Sequence, residues 1–144
     1  MSNISIAEFE ELMRESLPFA QTLAPEIVEL SPARVTIRLP YRKDFLRPGG
    51  TISGPMLMGV ADLALYAIVL AAIGRVELAV TTSLTINFLR KPPPTDILAH
   101  ARLLKLGKRL AVGEVDLFSA DDPEMVAHVV GTYSIPPRDG VAVL

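Results

Sequence analysis

The chain has no cysteine, no tryptophan and only two histidines in 144 residues, and each shortage removes a class of chemistry. Without cysteine there is no disulfide framework, no thiol nucleophile and no thiolate metal site. His100 and His128 are too few for most histidine-based metal centres, and neither lies near the long apolar run at the middle of the chain. An excess of either charge is also missing. The net charge is -2, so nothing draws the chain as a whole toward nucleic acid. The N-terminus, "MSNISIAEFEELMRES", carries acids where a secretory signal carries positive charge and then an apolar run. The expectation is a cytoplasmic protein with no metal or redox cofactor and no nucleic-acid partner.

What is present is hydrophobic. Half of the residues are apolar and 21% are charged, enough to build a sizeable core in one domain spanning residues 1–144. Met56 to Ile73 forms a run long enough to cross a membrane, with Asp62 as its one charge. An aspartate near mid-bilayer costs roughly 2.5–3.5 kcal/mol even on the lenient insertion scale. Gly59, Ala61, Ala64, Ala67, Ala71 and Ala72 also crowd the run with small residues, which fits a closely packed partner rather than lipid. The run therefore reads as a buried central helix, about residues 55–73, with no membrane partner.

The remaining elements are arranged around it. Ser5 and Glu8 form a capping-box pattern ahead of Phe9, Leu12 and Met13, predicting a short amphipathic helix over about residues 5–17 that ends near Pro18. "EIVELS" and "ARVTIRLP" flank the turn-forming "SPA" and read as a hairpin. "YRKDFLRPGGTISG" is a loop rich in glycine and proline, and Pro55 falls in the first turn of the central helix, where a missing N–H costs nothing. "LAVTTSLTINFL" alternates apolar and polar residues through Val80, Thr82, Leu84, Ile86 and Phe88, and three prolines end it. "ILAHARLLKLG", "RLAVGEVDLFSA" and "MVAHVVGTYSIPP" give three more strands. Two strands, one apolar helix and a four-stranded meander predict an α+β protein with an antiparallel sheet wrapped around the helix.

"GGTISGPMLMGVADLALYA", "VTTSLTINFLRKPPP", "LKLGKRLAVGEVDLFSA" and "MVAHVVGTYSI" occur in order between about residues 25 and 136, and together they resemble the hot-dog fold acyl-CoA thioesterases of the phenylacetate-pathway (PaaI-like) group. The resemblance implies a homodimer, often a dimer of dimers, with active sites at the subunit interface. It implies that the backbone N–H of Gly54, at the helix start, binds the thioester carbonyl oxygen with help from the helix dipole. It gives Asp62 the part of nucleophile or general base, and Thr81 that of orienting the water. Residues eight apart on a helix stand about 12 Å apart along its axis. Gly54 and Asp62 are therefore expected to serve one thioester only when two subunits each supply one of them.

The chain also departs from the family pattern. Arg47 stands where relatives often carry asparagine, and a guanidinium cannot accept a hydrogen bond, so Arg47 is expected to bind carboxylate or phosphate. Ser53-Gly54-Pro55 replaces the common His-Gly-Gly, which keeps the backbone donor and loses the histidine. Arg90 and Lys91 at one strand end, with Lys105, Lys108 and Arg109 around the "LGKR" turn, are the candidates to neutralise the phosphates of coenzyme A. Hydrolysis of an acyl-CoA to free acid and CoA is the leading expectation. Two alternatives stay open: a non-catalytic acyl-CoA binding or sensing module, and an acyl-thioester hydratase or dehydratase, a chemistry that usually pairs a histidine with an acid.

Overall fold

The computed structural model describes residues 2–137; the outermost residues of the expected 1–144 span lie outside the described residues. Helix α1 (Ile6–Ser16) begins at a formed capping box, with Glu8 N–H donating to Ser5 Oγ and Ser5 N–H to the Glu8 carboxylate. Phe9, Leu12 and Met13 lie on its buried face. The chain does not leave helix at Pro18. Leu17 breaks the first helix, and Pro18 opens a second, α2 (Pro18–Leu23), because its fixed φ suits a first helical position. A left-handed Ala24 (φ 52°) ends α2.

Strands β1 (Glu26–Leu30) and β2 (Val35–Leu39) pair as the expected hairpin. A 3-10 turn at Lys43–Phe45 and two short paired strands, β3 (Leu46–Arg47) and β4 (Thr51–Ile52), organise the glycine-rich loop. The central helix α3 (Gly54–Ile73) follows. Then come β5 (Val80–Phe88), β6 (Ile97–Leu106), β7 (Leu110–Ser119) and β8 (Met125–Ser134).

The main sheet has six antiparallel strands in the order β1-β2-β6-β7-β8-β5. This corrects the four-stranded meander: β5 does not pair with β6 but sits beyond β8, as a terminal strand with a free edge. The prolines after β5 stop the ladder and let the chain cross to β2, where β6 pairs.

Helix α3 covers the inner face of the sheet. Val60, Ala61, Ala64, Leu65, Ala67, Ile68 and Leu70 are at most 1% exposed. It has a mean hydropathy of 2.2 and could cross a membrane by length and composition, yet it is mostly buried inside the protein as its core. Its close seating comes from two facing glycines. Gly113 on β7 pairs with Gly131 on β8, and a Cβ on either would lie 2.9 Å or 2.5 Å from the methyls of Leu65. The far end of α3 is finished by the N-terminal segment, where Asn3 donates its backbone N–H to Ala71 O (2.9 Å) and its side-chain amide to Ala72 O (2.6 Å), two carbonyls that the helix cannot satisfy itself. Just beyond α3, Arg75 bonds Glu11, Glu15 and Glu77, tying α1 to this end.

Candidate active site

Asp62 points from α3 toward the β5–β8 pair. Thr81 Oγ1 donates to Asp62 Oδ1 at 2.6 Å. The Tyr133 hydroxyl lies 2.8 Å from the same oxygen and 3.0 Å from the Asp62 backbone carbonyl. Both donors thus converge on Oδ1, and Oδ2 has no protein donor among the described residues. Burial, reinforced by the Asp62 charge, holds the Tyr133 phenol far above its usual range, so it stays protonated and donates.

Thr81 reaches Asp62 through a break in the strand pattern. Strict alternation through Val80, Thr82 and Leu84 would turn Thr81 away from the helix. Thr81 pairs with Tyr133, however, while the next matched pair is Ser83 with Thr132. Thr82 is the extra residue of a β-bulge, and the slip puts Thr81 on the same side as Leu84, Ile86 and Phe88. Bulges are a common means of re-aiming a side chain beside a site.

Tyr133 did not emerge from the sequence as a site residue. Its signal was there: it sits in phase with Val129, Gly131 and Ile135, all buried, and a buried phenol hydroxyl needs a partner. The second tyrosine of the region, Tyr66, donates to Glu77 O at 3.0 Å, and burial pushes its phenol up to about 12. The Tyr66 and Tyr133 rings stand 6.2 Å apart. Around Asp62 is a cavity of about 300 Å³, lined by Leu17, Phe19, Leu23, Gly59, Leu63, Tyr66, Ala79, Thr81 and Tyr133 among others.

Gly54 belongs to a different cavity, of about 250 Å³, which also gathers Arg47, Thr51, Phe88, Arg90 and Lys91. Ser53 precedes the helix but forms no side-chain cap, and its carbonyl accepts from Met56 and Leu57 N–H. Pro55 has no N–H, so the Gly54 N–H is the first-turn donor with no partner among the described residues. Orphan donors at a helix start suit a developing negative charge. The cations differ in availability. Arg90 is engaged by Glu124 at 2.6 Å and Asp122 at 3.8 Å, whereas Arg47 and Lys91 form no ion pair among the described residues.

The structure therefore brings Asp62 and Thr81 together at one place and Gly54, Arg47, Arg90 and Lys91 at another. Lys108 and Arg109 join neither cavity. They occupy the β6–β7 turn, at the Thr81 end of the sheet, since Leu110 and Val80 both lie opposite Ser134. Arg90 and Lys91 leave the opposite end of β5. His100 and His128 face away from α3: His100 Nδ1 is 3.0 Å from Thr36 Oγ1 and His128 Nε2 is 3.0 Å from the Glu114 carboxylate.

A six-stranded antiparallel sheet packed on one long apolar helix, with a carboxylate held inside that helix, defines a hot-dog protein of the PaaI type. Residues 49–126, more than half of the chain, match the thioesterase superfamily, and the chain belongs to that superfamily. A crystal structure of a candidate thioesterase from Silicibacter sp. TM1040 is 43% identical, with 95% of each chain covered and a TM-score of 0.86. A point mutant of the phenylacetic acid degradation protein PaaI from Thermus thermophilus is 25% identical over 83% of this chain and 99% of its own, with a TM-score of 0.73. A candidate esterase of Saccharolobus solfataricus is 25% identical over 130 residues, 90% of this chain and 91% of its own. At the level of the family, the protein is a thioester hydrolase.

Proposed function

We propose that the protein hydrolyses acyl-CoA thioesters to free acid and CoA, in a site shared between two copies of the chain. The observation that carries this is the division of the groups: a carboxylate with one unengaged oxygen in an apolar cavity, and an unpartnered helix-start N–H among cations in another. Asp62 Oδ2 takes a proton from the water that attacks the thioester carbon and passes it to the departing thiolate, while Thr81 and Tyr133 hold Oδ1. In the nucleophilic alternative Oδ2 forms a mixed anhydride as the thiolate leaves, and a water then cleaves that anhydride to free acid and the regenerated carboxylate. The Gly54 N–H receives the charge that develops on the carbonyl oxygen. The thiolate then leaves, and Arg47 and Lys91 hold the phosphates of its carrier. No step in this scheme needs a metal or redox cofactor.

The free edge of β5 supports the shared site. Val80, Phe88 and the following Leu89 are 57%, 52% and 55% exposed, leaving unpaired backbone and apolar side chains on a terminal strand. Two copies of β5 pairing antiparallel about a two-fold axis set the Thr81 end of one against the Phe88 end of the other. That apposition brings the Asp62 cavity and the "LGKR" turn of one chain to the Gly54 cavity of its partner.

The first test is thiol release from a panel of acyl-CoAs by the wild type and Asp62→Asn. Turnover that falls at least about 10²-fold in the variant fits an acid–base carboxylate. Mixing Asp62→Asn with a Gly54→Val variant tests sharing, because randomly re-paired dimers regain about a quarter of wild-type activity only if each site draws on both chains. A binding module is the second reading, favoured by Pro55, which removes one first-turn donor. Tight acyl-CoA binding by the wild type with no thiol release decides for it.

A further inference from the structure

One wall of the Asp62 cavity comes from α2, an element invisible in the sequence pattern. Phe19 is 53% exposed, yet its ring edge rests on the central helix: a Cβ on Gly59 would lie 2.6 Å from Phe19 Cε2 and 2.9 Å from Cζ. Gly59 precedes Asp62 by three residues, on the same helical face. The ring therefore fills the groove that a side chain at position 59 would occupy, next to the carboxylate. Helix α2 is anchored by buried Ala20 and Leu23 and by Gln21 Nε2 donating to Arg14 O at 2.6 Å.

The lining also defines what the cavity accepts. Leu17, Phe19, Leu23, Leu63 and Ala79 offer apolar surface, and among the described residues of the chain no Lys or Arg lines the cavity. Asp62, the acid of the wall that no cation neutralises among the described residues, disfavours an acyl group ending in a carboxylate. With a volume of about 300 Å³ and a mainly apolar wall, the cavity holds an acyl group of bounded length.

We propose that Phe19, seated on Gly59, is the specificity-determining residue that limits the length of the uncharged acyl chain the cavity accepts. This deepens, and rests on, the thioester-hydrolase reading above. Where the ring stands, a longer chain has no room beside α3; where it is absent, the groove past Gly59 is open.

The test separates ligand length from turnover. Equilibrium binding of a straight-chain acyl-CoA series is measured on Asp62→Asn, which cannot consume the ligand by carboxylate chemistry, and on the same protein carrying Phe19→Ala or Phe19→Leu. Affinity is expected to rise about fourfold per methylene, the ordinary gain for a buried CH₂, and to level off at the chain length that reaches the Phe19 ring. Phe19→Ala shifts that break to longer chains, and Phe19→Leu shifts it less. A break at the same length in all three proteins overturns the proposal. Hydrolysis by the otherwise wild-type chain is scored in parallel. Absent thiol release with a shifted break rejects the hydrolase reading and keeps Phe19 as the length gate. Full turnover with an unshifted break rejects the gate alone.

Discussion

The two ends of the first half of α3 contain opposite solvents. Around Asp62 the protein supplies hydroxyls, aromatic rings and apolar walls. Around Gly54 it supplies backbone N–H, Arg47, Arg90 and Lys91. A thioester joined to a phosphate-bearing carrier needs both, an apolar berth for the acyl group and a cationic one for the carrier. The difference sets two separate berths along one helix, and under the proposed shared site they meet across a dimer rather than inside one chain.

The largest break in this contrast is removal of the acid. Asp62→Asn should lower kcat by about 10²–10⁴-fold with little change in KM, measured by thiol release. Next is the support of Oδ1. Hydrogen bonds to a charged group are worth about 1.5–3 kcal/mol, so Tyr133→Phe and Thr81→Val should each cost roughly 10- to 100-fold in kcat/KM. Because both act on one oxygen, the double variant should lose less than the product of the two; full additivity would mean that they act separately.

At the cationic end the effects are smaller and should fall on KM. Arg47→Ala and Lys91→Ala should raise KM for an acyl-CoA by about two- to fivefold, as expected for rim charges worth up to about 1 kcal/mol. They should leave a truncated thioester without phosphates unaffected. Arg90→Ala should do least of the three, because Glu124 and Asp122 already hold that guanidinium. A KM effect of Arg47 or Lys91 that persists with the truncated thioester would remove the phosphate role.

A sheet wrapped on one helix was legible because α3 is too apolar to leave any face in water, and the hot-dog identification came from the family resemblance. Strand order was not, since alternation marks a strand without naming its neighbour, and only pairing shows that β5 travels to the far edge. Asp62 stood out as the lone charge of its run. Thr81 came from family resemblance alone: alternation put it on the wrong face, and the bulge at Thr82 reverses that. Tyr133 and Phe19 were missed for different reasons. The first is a buried phenol with no obvious partner in sequence, and the second lies on a six-residue helix behind a proline that reads as a terminator.

The facing pair Gly113 and Gly131 acts as a keyway for Leu65, which lies three residues beyond Asp62 on α3. With no side chain at either position, the helix drops until the Leu65 methyls meet bare backbone, and that contact indexes how deep the carboxylate sits. Gly131 is two residues from Tyr133 on the same strand and face. A single methyl there would meet Leu65 Cδ1 at 2.5 Å and force the Leu65 side chain out of its seat beside the strand that carries Tyr133. The reach of the carboxylate is thus gauged by two side chains the protein does without, at a spot outside the lining of the Asp62 cavity.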